Sequence, residues 1–136
     1  MRIISNTKRK GSVAERELIK LFWEHGWAAF RAAGSGSARH PCPDIIAGNS
    51  LRKVAIEVKV IHNTRKYFSA QEIHDLRTFS HIFGSEAWVA VKFHGNGWFF
   101  FSVEDLKETP AGFSIGLHDA QLKGFSFESF LENRTT

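Results

Sequence analysis

Ala14, Leu18, Leu21 and Phe22 recur at the i, i+4, i+7 and i+8 spacing of one helix face, and Gly26 follows as a stop. This spacing predicts a helix over 12–25. A strand over 27–33, a loop over 34–43 and a short strand over 44–47 follow, closed by Gly48, Asn49 and Ser50. Residues 53–61 then alternate strictly: Val54, Ile56, Val58 and Val60 share one face, and Ala55, Glu57 and Lys59 the other. Ser69 with Glu72 three positions later reads as a capping box opening a second helix through Ile73, Leu76 and Phe79 to Phe83, with Gly84 as its stop. Strands over 87–93 and 98–103 are joined across Gly95, Asn96 and Gly97, a tight-turn sequence. Beyond Val103 the pattern weakens to a short strand at 114–117 and a helical turn or extended segment at 125–131.

The order of helix, three strands, helix and two strands makes this an α/β chain with a central mixed five-stranded sheet flanked by helices. Its 136 residues suit a single domain spanning 1–136, with the runs after Leu106 expected to decorate it as a C-terminal extension, 105–136. Trp98, Phe99, Phe100 and Phe101 are too apolar for a one-sided strand. The core is expected to cover one face and a partner subunit the other. No apolar run approaches the roughly 20 residues needed to span a bilayer, and no export signal is seen near Met1. A single cysteine, Cys42, agrees with a reducing cytoplasm.

Charge sharpens the picture through its distribution. Residues 1–68 hold 13 Lys and Arg against 5 Asp and Glu, whereas residues 69–136 hold 5 against 9. The first half is thus the candidate for a polyanion contact. Within it, 1–10 reads as a flexible basic arm in which Arg2, Lys8, Arg9 and Lys10 reach a phosphate backbone, against the plainer reading of a solvated terminus.

Glu15, Asp44, Glu57 and Lys59 come from one helix, one strand start and one strand interior, and their convergence would make a metal site. Hard cations such as Mg2+ take carboxylate oxygens, one or two at a time, together with substrate phosphate. Asp44 and Glu57, facing one another across the turn at Gly48, suit that role. Lys59 lies on the same strand face as Glu57, placed to contact the attacking water or the phosphate. Arg31 is followed at once by Gly34, Ser35, Gly36 and Ser37, a loop whose amides and hydroxyls suit phosphate contact. Each residue also has a plainer role: Glu15 as partner of Ser12 in a capping box, Asp44 as a turn cap, Lys59 as a solvated strand residue, Arg31 as a surface residue. His40 and Cys42 lack the second pair that structural zinc requires.

Pro43-Asp44 followed by Glu57-Val58-Lys59 resembles the PD-(D/E)xK nuclease motif. Lys10-Gly11, Ala14-Glu15-Arg16-Glu17-Leu18, Arg31-Ala32-Ala33-Gly34-Ser35, Asp44-Ile45-Ile46-Ala47-Gly48-Asn49, Ala90-Val91-Lys92-Phe93 and Gly97-Trp98 are similar in order and spacing to the archaeal-type Holliday junction resolvases. The resemblance runs from residue 10 to about 104. It implies a restriction-endonuclease-like nuclease core acting as a homodimer, a metal-dependent endonuclease that nicks four-way junction DNA symmetrically and leaves 5′ phosphate and 3′ hydroxyl ends. It implies acidic active-site roles for Glu15, Asp44 and Glu57, including metal ligation, a catalytic Lys59, Arg31 near the scissile phosphate and a functional Arg16. Mg2+ is the implied cofactor, with Mn2+ as a substitute; no organic cofactor and no membrane partner are expected. Two other readings stay open: a related nuclease acting on other branched or linear DNA, and a non-catalytic junction-binding module.

Overall fold

The computed structural model describes residues 6–32 and 40–133. Its first helix, α1 (Asn6–Glu24), starts six residues before the expected boundary, so Lys8, Arg9 and Lys10 belong to a helix and not to a flexible arm. Their side chains, like Arg2, lie outside the described residues. Ser12 is therefore interior to α1 and caps nothing, which removes the capping-box reading of Glu15. The helix ends in a left-handed glycine, Gly26 (φ 82°). Gly26 N–H donates to Trp23 C=O at 3.3 Å and Trp27 N–H to Phe22 C=O at 2.9 Å, the paired bonds of a Schellman ending. The Phe22 and Trp27 rings, 5.4 Å apart, supply the apolar contact that closes it.

The main sheet runs β1 (Ala28–Arg31), β2 (Ile45–Gly48), β3 (Lys53–Ile61), β5 (Glu86–Phe93), β6 (Gly97–Ser102) in that spatial order. All neighbours are antiparallel except β3 and β5. That parallel pair requires a crossover, made by β4 (Arg65–Ser69) and α2 (Ala70–Phe83). The expected alternation of β3 is what divides the core. Val54, Ile56 and Val58 pack with Ala14, Leu18 and Phe22 of α1, and Ala55 and Ile61 with Ile73 and Leu76 of α2. The capping box of α2 is present: Ser69 Oγ accepts from Glu72 N–H at 3.1 Å and Glu72 Oε2 from Ser69 N–H at 2.9 Å.

The chain after Leu106 is structural core, which corrects the expectation of decoration. β7 (Lys107–Thr109) and β8 (Gly112–Gly116) join β4 in a second, three-stranded sheet absent from the sequence reading. A side chain at Gly112 would meet Phe68 C=O at 2.3 Å, so only glycine lets these strands close. Helices α3 (Leu117–Lys123) and α4 (Phe127–Glu132) then cover β6. Phe130 of α4 stacks on Phe100 at 4.4 Å, while Phe101 packs with Ala120 and Phe113 on the opposite face. Both faces of β6 are thus covered from within the chain, and no partner subunit is needed there.

Candidate active site

Asp44 stands one residue before β2 and is pinned by its backbone. Its N–H donates to Ile56 C=O at 3.1 Å and its C=O accepts from Ala32 N–H at 3.0 Å. Its Oδ2 accepts from Val58 N–H at 2.8 Å, which turns the carboxylate toward β3. There the Glu57 side chain, largely buried on the α2 face, shares a hydrogen bond with it. Burial, that hydrogen bond and the Asp44 charge push the Glu57 carboxyl up to about 10. Two oxygen-donor side chains crowded together with little water are a poor arrangement for two anions and a good one for a hard dication. The described residues hold no cluster of three or more His, Cys, Asp or Glu suited to a metal. Asp44 and Glu57 are the two carboxylates of this cleft closest to one another across the β2–β3 pair.

Lys59 lies two residues on, on the same face. Its Nζ donates to Glu72 Oε1 at 2.7 Å and sits 5.8 Å from the centre of the Phe68 ring. Burial pulls the ammonium down, yet the hydrogen bond and charge of Glu72 outweigh it and hold Lys59 above its ordinary value. Glu72 is correspondingly lowered, its own burial outweighed by Lys59 and by the Ser69 amide. Asp44, Glu57, Lys59, Glu72 and Asp75, with 40–43 along one rim, line a cleft of about 390 Å³. A larger hollow of about 880 Å³ beside Arg52 holds no such constellation. The Arg52 charge is consumed by Glu86, at 2.8 and 2.9 Å, and by the carbonyls of Phe130 and Leu131.

Glu15 and Arg31 approach from the other side of the sheet. Arg31 pairs with Ile45, whose side chain faces α1, so its guanidinium reaches α1: Nε donates to Glu15 Oε1 and Nη2 to Ser12 Oγ, both at 3.1 Å. Glu15 is raised above its ordinary value by burial, with the Asp44 charge adding to it and the Arg31 bond opposing. Asp44 is thus the hinge between two pairs, Glu57–Lys59 on the α2 side and Glu15–Arg31 on the α1 side. Arg16 is exposed on α1, close enough for its charge to act on Glu15. Ser35 and Ser37 lie outside the described residues. Glu72 and Asp75 were not singled out for this cleft from the sequence; Glu72 carried only its capping signal there, and the β3–β4–α2–β5 crossover is what turns it toward Lys59.

With this geometry in place, the likeness to known proteins becomes informative. The sequence profile described as archaeal Holliday junction resolvase (hjc) matches residues 6–136. A crossover junction endodeoxyribonuclease Hjc of Archaeoglobus fulgidus is 43% identical over 128 residues, covering 89% of this chain and 94% of that one. The Methanocaldococcus jannaschii protein of the same name is 39% identical over 87 residues, 64% of this chain and 62% of that one. The 1.6 Å structure of Archaeoglobus fulgidus Hjc, described as a Holliday junction resolvase from an archaeal hyperthermophile, superposes with a TM-score of 0.83 at 40% identity, covering 90% of this chain and 100% of that one. The match reaches through the C-terminal elements that the sequence motifs did not include, and the chain belongs to the archaeal Holliday junction resolvase family.

Proposed function

We propose that this protein is a structure-selective, divalent-metal-dependent DNA endonuclease that resolves four-way junctions by paired, symmetric nicks. The observation that carries this reading is the Asp44–Glu57 carboxylate pair with Lys59 beside it in one cleft, in a chain of this family. Asp44 and Glu57 would hold Mg2+, or Mn2+ in its place, because their oxygens are the hard donors such ions take. A cation bound there would supply Lewis acidity at the phosphate and a more acidic attacking water.

The chain's own groups do the rest. Lys59 presents a charged ammonium to the phosphate or to the incoming water. Arg31 offsets phosphate charge from the α1 side, with Glu15 setting its orientation through the bond to Nε. Bond cleavage at the 3′ oxygen leaves a 5′ phosphate and a 3′ hydroxyl. Arg16, with Lys8, Arg9 and Lys10 on α1, grips duplex arms without reading bases, so binding follows junction shape and weakens with salt.

Paired nicks need two sites in fixed relation, and we propose a homodimer. An apolar hollow of about 420 Å³ formed by Pro41, Phe79, Ile82 and Phe83 with His40 and Thr78 supports it, because it shares His40 and Pro41 with the catalytic cleft. Ile82 is 80% exposed there, a large apolar side chain that water does not favour. No helix among the described residues is long and apolar enough to cross a membrane. The proposed place of action is the cytoplasm, with its DNA.

The test is cleavage of an immobile four-way junction, a matched duplex and single strands, with Mg2+ or EDTA, by wild type and Asp44→Asn. Symmetric nicking of the junction alone, by wild type with Mg2+ alone, is the expected result. Cutting of all branched and linear substrates would point to a broader nuclease, and binding without cutting under any divalent ion to a junction-binding module.

A further inference from the structure

Lysine is a poor catalyst unless something fixes it: its ammonium sits on a flexible four-carbon stem and samples many positions. We propose that Glu72 is the positioning residue of Lys59, setting where its ammonium meets the phosphate or the attacking water. This rests on the assignment of Lys59 above. Glu72 is suited to the task because both of its oxygens are engaged by different partners. Oε1 takes the Lys59 ammonium at 2.7 Å, and Oε2 takes the Ser69 amide at 2.9 Å. The carboxylate therefore cannot swing with the lysine. It belongs to the first turn of α2, which Ile73 and Leu76 anchor in the core, so the ammonium is referenced to the fold and not to solvent.

The other acids of the cleft are committed elsewhere. Glu57 shares its hydrogen bond with Asp44, and Asp75 Oδ1 accepts from Gln71 Nε2 at 2.6 Å. The Phe68 ring flanks the ammonium on a further side. One residue thus joins two jobs, capping a helix and holding the lysine, and the two separate by mutation. Ser69→Ala removes the hydroxyl of the cap and leaves the Lys59 contact in place. Glu72→Gln removes the charge that holds Lys59 while keeping a side chain that can still reach the Ser69 amide.

The experiment measures single-turnover junction cleavage in Mg2+ and junction affinity in Ca2+ for wild type, Ser69→Ala, Glu72→Gln, Lys59→Met and the double variant Lys59→Met/Glu72→Gln. Glu72→Gln is expected to cut about 10-fold or more slowly, with affinity within about twofold of wild type. Ser69→Ala is expected to cut within about threefold of wild type, and the double variant no more slowly than Lys59→Met alone. The proposal is overturned if Glu72→Gln cuts at the wild-type rate, or if Ser69→Ala loses as much, which would make the cap the cause. It is also overturned if the Glu72→Gln loss appears in full on top of Lys59→Met, since the glutamate would then act without the lysine. Wild-type cutting by Lys59→Met would instead overturn the lysine assignment beneath it, and that single variant tells the two failures apart.

Discussion

Glu57 shares a hydrogen bond with Asp44 across the β2–β3 pair, and its carboxyl is pushed up to about 10 by burial and by that neighbour. The Glu57 carboxyl therefore keeps its proton far above the ordinary carboxylate range when no cation is beside it. The unfolded chain releases the Glu57 proton near the ordinary value of 4.5, and the folded chain keeps it to about 10. Over that window the folded state binds more protons, so stability contributed by protonated Glu57 is complete below about 4.5 and is lost as pH rises toward 10. Glu57→Gln mimics the protonated acid at every pH. It is expected to flatten this dependence and to be more stable than wild type at pH 8 by about 1–3 kcal/mol, measured as urea unfolding from pH 5 to 9 in EDTA. A parallel pH dependence in the two proteins would show that Glu57 does not hold the proton.

The raised Glu57 carboxyl also bears on the proposed metal. Mg2+ bound as proposed would displace the Glu57 proton, so ion binding would stabilise the fold by mass action and release a proton. Wild type is expected to melt a few degrees higher in millimolar Mg2+ at pH 8 and to respond less at pH 5, where proton competition is stronger. Asp44→Asn is expected to lose the response. Calorimetry in two buffers of different ionisation enthalpy reads the released proton directly, and an identical apparent enthalpy in both would contradict a proton held on Glu57.

Arg52 holds the C-terminal helix in place. Its guanidinium lies 5.3 Å from the Trp27 ring centre and 4.9 Å from that of Phe130, forks onto Glu86 and donates to two carbonyls at the end of α4. Arg52→Lys keeps the charge but cannot form the fork. It is expected to cost about 1–3 kcal/mol, and Phe130→Ala, which opens a hole against Phe100 and Trp88, about 3–5 kcal/mol. Denaturant unfolding measures both. Wild-type stability in Phe130→Ala would return the C-terminal segment to the status of decoration.

Where periodicity was strong, the sequence made the fold legible. The alternation of β3 located the two core faces, and Ser69 with Glu72 located the start of α2, because each signal is local and repeated. The second sheet left almost no trace: of Arg65–Ser69 only Phe68 is buried, and its pairing with Gly112–Gly116 is decided by contacts distant in sequence. The same limit applied to Phe100, whose covering by Phe130 is a long-range contact that an apolar strand pattern cannot distinguish from a subunit interface. In the site, Asp44, Glu57 and Lys59 were readable from their spacing. Glu72 was not, because its capping role fully explains its position in sequence while its second role arises only in the folded crossover.

With β6 covered from within, the end of α2 is the surface proposed above for a second copy. Phe79 and Phe83 stack there at 5.2 Å, and Ile82 projects beside them. A stripe of this kind at a rim of the catalytic cleft would place two clefts in symmetric relation about one axis. Ile82→Glu puts a charge at a position that is 80% exposed, so the monomer tolerates it, while a dimer closing over it would bury an unpaired carboxylate. The expected outcome is a shift from dimer to monomer in sedimentation at micromolar concentration, with an unchanged melting profile of the monomer's core helices by circular dichroism. Junction cutting should then change character: the two nicks lose their coupling, and single-nicked product accumulates in a supercoiled cruciform plasmid assay. A dimer that survives both Ile82→Glu and Phe83→Glu would place the interface elsewhere on the molecule.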